Sequence, residues 1–225
     1  PGPENKPLLL CLSHLRWDFV FQRPQHLMVR AAREFDVLFV EEPLLDAAGE
    51  PYTSYSRRGE GVAVATPRLP PDLGVEAGRA AQRMLLDEAL APHAGRPMLA
   101  WFYTPMALAF ASRLEPAATV WDCMDELSAF RGAPSEMRQM EAALLARTDV
   151  VFTGGRSLYE AKIGRHANLH CFPSSIDAPH FARARGNHPD PGDQAGIGRP
   201  RIGFFGVIDE RMDTGLVDAL AVLRP

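Results

Sequence analysis

The stretch LLLCLSHLRWDFVFQRPQHLMVRAAREFDVLFV, residues 8–40, decides the fold. Leu8-Leu9-Leu10-Cys11-Leu12 is apolar at every position, the pattern of a strand buried on both faces of a sheet. Pro24 suits a first helical turn, and Leu27, Ala31 and Ala32 lay an apolar stripe along a segment running to Glu34. Asp36-Val37-Leu38-Phe39-Val40 reads as the next strand. Strand, helix, strand in this order is the unit from which parallel sheets are built.

Outward from this unit the alternation continues. Val62–Ala65, Met98–Phe102, Ala118–Cys123, Val150–Phe152 and Leu169–Phe172 are short apolar runs that read as strands. Between them, Val75–Ala91, Pro105–Leu114, Pro134–Arg147 and Ser157–Ile163 carry helical periodicity. The pattern predicts an α/β fold: a parallel, Rossmann-like sheet with helices on both faces. Residues 1–184 form this domain. Residues 185–200 are rich in Gly, Pro, Asn and Asp and read as a linker. Residues 201–225 then offer a strand, Arg201–Gly206, and a helix, Thr214–Leu223, as the opening of a second Rossmann-like unit. One strand and one helix cannot bury their own apolar faces, so this reading makes the chain part of a longer protein.

Composition narrows the function. Apolar residues make up 46% and charged residues 23% of the 225, which is globular. A formal net charge of −4 argues against a nucleic-acid partner, which needs a basic surface. No apolar run approaches the ~20 residues of a membrane span, and the start lacks a basic-then-apolar signal. The expectation is a cytoplasmic protein, with peripheral membrane contact left open. Cys11, Cys123 and Cys171 sit in apolar runs without metal-ligand spacing, and the histidines form no such spacing either, so no metal is expected.

Ligands of open α/β sheets bind beyond the carboxyl ends of the strands. The loop Ser13–Arg23 is longer than the ~2–6 residues of an ordinary connector and offers His14, Arg16, Trp17, Arg23 and, at the helix entry, Gln25. It carries no dinucleotide-type glycine pattern. Tyr103 follows the strand Met98–Phe102. Asp122, Asp125 and Glu126 place three carboxylates within five positions at another strand end. They read as cleft residues, or, in the alternative, as a helix cap for Asp125 or Glu126 and a backbone anchor for Asp122. Thr153-Gly154-Gly155-Arg156 would admit a ligand close to the backbone or simply make a turn. Ser174 and Asp177 follow the last strand, and Gly206 with Arg211 would suit a phosphate.

Taken together these segments resemble a known family. Val120-Trp121-Asp122-Cys123-Met124-Asp125-Glu126 through Phe130, then Glu141 through Phe152, are similar to the "YDCMDE…F…E..LL..AD.VF" stretch of GT-B glycosyltransferases, in particular the bacterial cell-surface polysaccharide and teichuronic-acid-type transferases. Phe172–Asp177 with His180-Phe181 resembles their "PNGVD…HF", and Ser13–Met28 their first loop and helix. Arg201–Asp213 resembles the opening of their nucleotide-sugar domain.

The resemblance implies a hexosyltransferase that moves sugar from a nucleoside-diphosphate sugar, as substrate rather than cofactor, to a saccharide or lipid-linked acceptor in cell-surface glycan synthesis. Asp125 and Glu126 would be catalytic. His14, Arg16, Trp17, Arg23, Gln25, Tyr103, Arg156, Ser174 and Asp177 would bind substrate, with Trp17 stacking on a sugar ring. Gly206 and Arg211 would hold the donor phosphates. Two departures stand out: Asp125 occupies a position where many relatives have histidine, and Ser174-Ser175 replace Asn-Gly. The acidic donor-binding motif does not occur in the sequence, which implies that this chain alone is inactive. A sugar-nucleotide epimerase or hydrolase, or a non-catalytic acceptor-binding fragment, are the alternatives.

Overall fold

The computed structural model describes residues 6–59, 61–204, 206, 208 and 212–223. Among them, eight strands form one sheet in the order β3-β4-β2-β1-β5-β6-β7-β8. The strands are β1 Leu8–Leu12, β2 Asp36–Val40, β3 Tyr52–Arg58, β4 Val62–Arg68, β5 Met98–Phe102, β6 Ala118–Cys123, β7 Val150–Thr153 and β8 Leu169–Cys171. The helices are α1 Arg23–Ala31, α2 Val75–Leu90, α3 Leu108–Ala111, α4 Met137–Arg147, α5 Arg156–Lys162, α6 Ala178–Ala182 and α7 Thr214–Leu223.

Every pairing is parallel except β3 with β4. The antiparallel β3 is absent from the sequence reading, because Tyr52–Arg58 lacks an apolar run. As an edge strand it pairs on one side only and keeps a polar outer face. The cue was Tyr and Thr flanked by a glycine-bearing turn. Gly61 sits at φ 90°, and a Cβ there would come within 3.2 Å of the Ala32 carbonyl oxygen, so only glycine lets this turn pass the end of α1.

Side-chain alternation splits the core in two. Leu8, Leu10 and Leu12 face one layer with Leu86 and Ala89 of α2, Leu108 and Ala111 of α3, and Leu144 and Leu145 of α4. Leu9 and Cys11 face the other layer with Met28 of α1, Phe39 and Tyr103. The all-apolar β1 is thus buried on both faces, as its sequence requires. The predicted helix Pro105–Leu114 is shorter than expected: a 3-10 turn over Pro105–Ala107 leads into the single turn of α3.

The chain divides into two compact units, Pro1–Ser175 and Ile176–Pro225. In the second, α7 spans the predicted helix, but Arg201–Phe204 pairs with no strand. A lone strand without neighbours leaves its backbone groups unpaired and does not persist as one.

The sheet reverses direction of growth at β1, whose neighbours are β2 on one side and β5 on the other. The loops after β1 and β5 therefore diverge and open a crevice at the carboxyl edge, where such folds bind ligands.

Candidate functional site

The innermost feature at this edge is an ion pair. Asp122, wholly buried on β6, faces the α1 side, and Arg23 at the start of α1 reaches it with Nε 3.0 and 2.9 Å from the two carboxylate oxygens. Arg23 Nη1 also donates to the Phe172 carbonyl, 2.6 Å away just past β8. One guanidinium therefore ties α1 to β6 and to the end of β8. Burial pushes the Asp122 carboxyl above its ordinary range, and Arg23 offsets this only in part. This corrects the sequence expectation for Arg23. A guanidinium already neutralised by a buried carboxylate is a tie between strands rather than a substrate-binding group.

The loop after β1 is organised by a residue the sequence reading missed. Glu41, buried one residue beyond β2, accepts from the Trp17 backbone N–H at 2.7 Å, Thr66 Oγ1 at 2.8 Å and Arg16 Nη1 at 3.2 Å. Arg16 donates further to the Glu42 and Pro43 carbonyls. Gln25, with no exposed surface, donates to the Arg16 and Trp17 carbonyls and accepts from the Gln22 N–H. Trp17 is only 6% exposed and packs edge-on against Phe39 at 5.1 Å. The proposed sugar-stacking face of Trp17 is thus inside the core. Arg16 and Gln25 are likewise consumed in holding the loop, because backbone groups of a long loop must be satisfied somewhere. The only cue to Glu41 was a carboxylate at the end of an apolar strand.

His14 differs. Its Nδ1 is buried without a hydrogen-bond partner. Burial pushes its pKa below the ordinary histidine value, and the charge of Asp125, then the Tyr103 backbone, draw it partly back. The hydroxyl of Tyr103, a residue 1% exposed, also lacks a partner of ordinary geometry, although Asp122 lies close enough to push the phenol's pKa further up after burial. Asp125, half-buried, forms no ion pair among the described residues. His14 and Asp125 are therefore brought together past the tips of β1 and β6 with hydrogen-bonding capacity to spare, while Tyr103 lies in the core beside Asp122.

Glu126 has another role. Lys162, one of two lysines in the chain and 1% exposed, donates to Glu126 Oε2 at 3.0 Å and lies 3.2 Å from Glu141. Its ammonium also stands 5.4 Å over the Trp121 ring. Ser128 donates to the other Glu126 oxygen at 2.9 Å. Burial would raise the Glu126 pKa, but the hydrogen bonds from Lys162 and Ser128 outweigh it and hold the carboxyl below its ordinary value. Neither Asp125 nor Glu126 caps the 3-10 turn Leu127–Ala129. Glu126 is thus a structural anchor rather than a free catalytic group.

The remaining candidates disperse. Gly154 donates to the Cys123 carbonyl at 2.8 Å, and a Cβ there would lie 2.9 Å from Met124 Cα. Its glycine serves close packing of two strand-end loops, not a ligand. Arg156 is exposed and pairs with Glu160 one turn along α5. Ser174 is exposed, its N–H bonded to the Gly154 carbonyl. In the second unit Asp177 caps α6 through the His180 N–H at 3.3 Å. Gly206 lies exposed in a bend, and Arg211 lies outside the described residues. Among the described residues no three His, Cys, Asp or Glu side chains converge as metal ligands, and no helix is long and apolar enough to cross a membrane.

Beside the polar group, on the α2 side, is a cleft of about 440 Å³. Ser13, Glu42, Thr104 and Met106 from the strand ends form one wall, and Val75, Arg79 and Gln82 from the first two turns of α2 form the other. The volume lies in the ~300–1,000 Å³ range of small-molecule sites.

No family model matches the chain, and no curated protein sequence matches it. Solved structures match its fold. One described as trehalose-6-phosphate from E. coli bound with UDP-2-fluoro glucose is 12% identical, with a TM-score of 0.55 over 81% of this chain and 52% of that one. Sucrose-phosphate synthase from Thermosynechococcus elongatus is 12% identical, with a TM-score of 0.57 over 82% and 53%. An α,α-trehalose-phosphate synthase (UDP-forming) from Burkholderia vietnamiensis is 13% identical, with a TM-score of 0.51 over 80% and 51%. The chain spans about half the length of these structures. At such identity the likeness establishes the fold, the α/β fold of GT-B glycosyltransferases, and leaves the chemistry to be argued from the site.

Proposed function

We propose that this chain forms the acceptor side of a glycosyltransferase that takes a nucleoside-diphosphate sugar as donor and a saccharide or lipid-linked saccharide as acceptor, in cell-surface glycan synthesis. The observation that carries the reading is the group at the fold's switch point. His14 and Asp125 are the polar side chains there that the scaffold leaves unspent. A neutral imidazole in a desolvated position can accept a hydrogen bond from an acceptor hydroxyl. A neighbouring carboxylate can stabilise the positive charge that develops if the proton follows. Asp125 is accordingly the residue on which catalysis depends, through the charge it holds beside His14, the group that meets the acceptor hydroxyl. The donor phosphates would be met by the segment of Gly206 and Arg211, on the strength of its sequence. The fold's solved neighbours support a uridine nucleotide, since the E. coli structure is described with UDP-2-fluoro glucose.

The test is product analysis by mass spectrometry after incubation of the full-length protein with UDP-sugars, with and without saccharide and lipid-linked acceptors. Transfer that needs the acceptor supports the proposal. Nucleotide-sugar consumption without acceptor would replace it with an epimerase or hydrolase. Acceptor binding without turnover would mark the chain as an acceptor-binding unit only.

A further inference from the structure

We infer that the cleft between α2 and the tips of β1, β2 and β5 binds an uncharged sugar and discriminates against a phosphorylated one. The inference rests on the acceptor-side reading above and names the acceptor's chemical class. Its basis is the inventory of cations. Arg79, the one arginine lining the cleft among the described residues, is committed: Nη1 to Glu76 at 3.0 Å and Nη2 to Glu136 at 2.6 Å. Arg16, just behind the wall, is bound to Glu41 and to two carbonyls. Glu42, by contrast, lines the cleft without an ion-pair partner within 4 Å among the described residues; burial raises its pKa, and the charge of Arg16 offsets this only in part. A phosphate entering here would meet the Glu42 carboxylate and, among the described residues, no free cation to neutralise it; the N–H groups that begin α2 offset only part of its desolvation, since Glu76 stands in the same turn.

A sugar ring makes the opposite demand. Its hydroxyls need acceptors and donors in mixed array, and its C–H faces need apolar surface. Glu42 and the Gln82 carbonyl oxygen, whose amide Nε2 alone is engaged with Gly78, supply acceptors. The first turn of α2 supplies N–H donors, since Gly74 at its start caps it with no side chain. Met106 and Phe110 supply apolar surface.

The test uses protein labelled with ¹³C at the methionine methyls, with the Met106 resonance assigned by Met106→Leu. Trehalose and trehalose 6-phosphate, then glucose and glucose 6-phosphate, are titrated as matched pairs. The neutral sugar of each pair should shift Met106, with the phosphorylated partner at least about tenfold weaker, the scale expected for one uncompensated charge at close range. Glu42→Gln should narrow that ratio, and Gln82→Ala should weaken neutral sugars. Equal or tighter binding of the phosphorylated partner, or no Met106 shift with either neutral sugar, would overturn the inference. Acceptor-dependent transfer accompanied by shifts only at Met124 would overturn the cleft assignment while leaving the transferase reading intact. Binding at Met106 without any transfer by the full-length protein would do the reverse.

Discussion

The loops after β1 and β6 leave the same edge of the sheet and carry the same kinds of side chain, yet they use them differently. In the first, Arg16, Trp17 and Gln25 are spent on Glu41, on loop carbonyls and on the core, and His14 is left over. In the second, Asp122 at the end of β6 is spent on Arg23 and Glu126 on Lys162, and Asp125 is left over. Each loop thus contributes one free polar group to the crevice and several anchors beneath it. A charged or aromatic residue in a strand-end loop is equally suited to either task. Only its partners tell which it performs.

The anchors should break first and hardest. Asp122→Ala leaves Arg23 buried without its counter-ion, which should cost about 3–5 kcal/mol. In a chain of this size that lowers the melting temperature by about 10 °C or more, readable by calorimetry. The double change Arg23→Met with Asp122→Leu should recover most of the loss, because the cost lies in the unpaired charge. Loss in the double variant as large as in the single would mean that the pair's hydrogen bonds, not its charges, hold the three elements together.

Lys162→Met should come next, at about 2–3 kcal/mol in denaturant unfolding, below the fully buried case. Arg165, 3.0 Å from Glu141, keeps that carboxylate partly compensated, and Glu126 is one-third exposed. Gly154→Ala should fall in the same range, about 1–3 kcal/mol, as the new methyl drives the Met124 backbone away from β7. Because Met124 precedes Asp125, this variant should also disturb the free carboxylate, which an anchor acting only on stability would not do.

The sheet was legible because burial on both faces forces apolar runs, and β1, β2, β5 and β6 have them. The edge strand β3 escaped because one solvated face removes that constraint. At the site, residue type and loop position singled out His14 and Asp125, which the scaffold leaves without side-chain partners, alongside Arg16, Trp17, Gln25 and Glu126, which it uses as anchors. Separating them requires knowing that Glu41 and Lys162 lie within reach, from 25 and 36 residues away in sequence. Such pairings are set by tertiary packing, and nothing in local spacing encodes them. Lys162 carried one faint cue: a lysine in a chain that otherwise uses arginine almost throughout.

Acidity should separate the two loops by pH window. The folded pKa of His14 lies below its ordinary 6.5, so the unfolded chain takes the proton first. The stability His14 contributes is complete above that value and is lost as pH falls below it. Glu126 also has a lowered pKa, so its contribution is complete above 4.5 and is lost further down, as pH falls through its folded value. Asp122, with a raised pKa, works in the opposite sense and favours the folded state on the acid side. Unfolding free energy against pH should therefore decline in two stages. His14→Gln should flatten the upper stage, and Glu126→Gln the lower. A single unaltered decline in both variants would mean that neither loop titrates as described.

The smallest effect on stability belongs to the residue with the largest proposed effect on function. Asp125→Asn removes a charge that no hydrogen bond or ion pair among the described residues uses, so stability should stay within about 0.5 kcal/mol. Arg156→Ala, on the exposed face of α5, should be equally silent. The two should part elsewhere. In the full-length protein, Asp125→Asn should lower acceptor-dependent turnover more than about tenfold, equivalent to roughly 1.4 kcal/mol at the transition state, and Arg156→Ala should leave it unchanged. A binding signature should accompany the loss. The Asp125 charge draws the His14 pKa upward, so Asp125→Asn should let it fall further, measurable by NMR titration of the imidazole. A shifted His14 with unchanged turnover would keep the geometry and discard the catalytic role. Lost turnover with an unshifted His14 would keep the role and show that the two loops act independently.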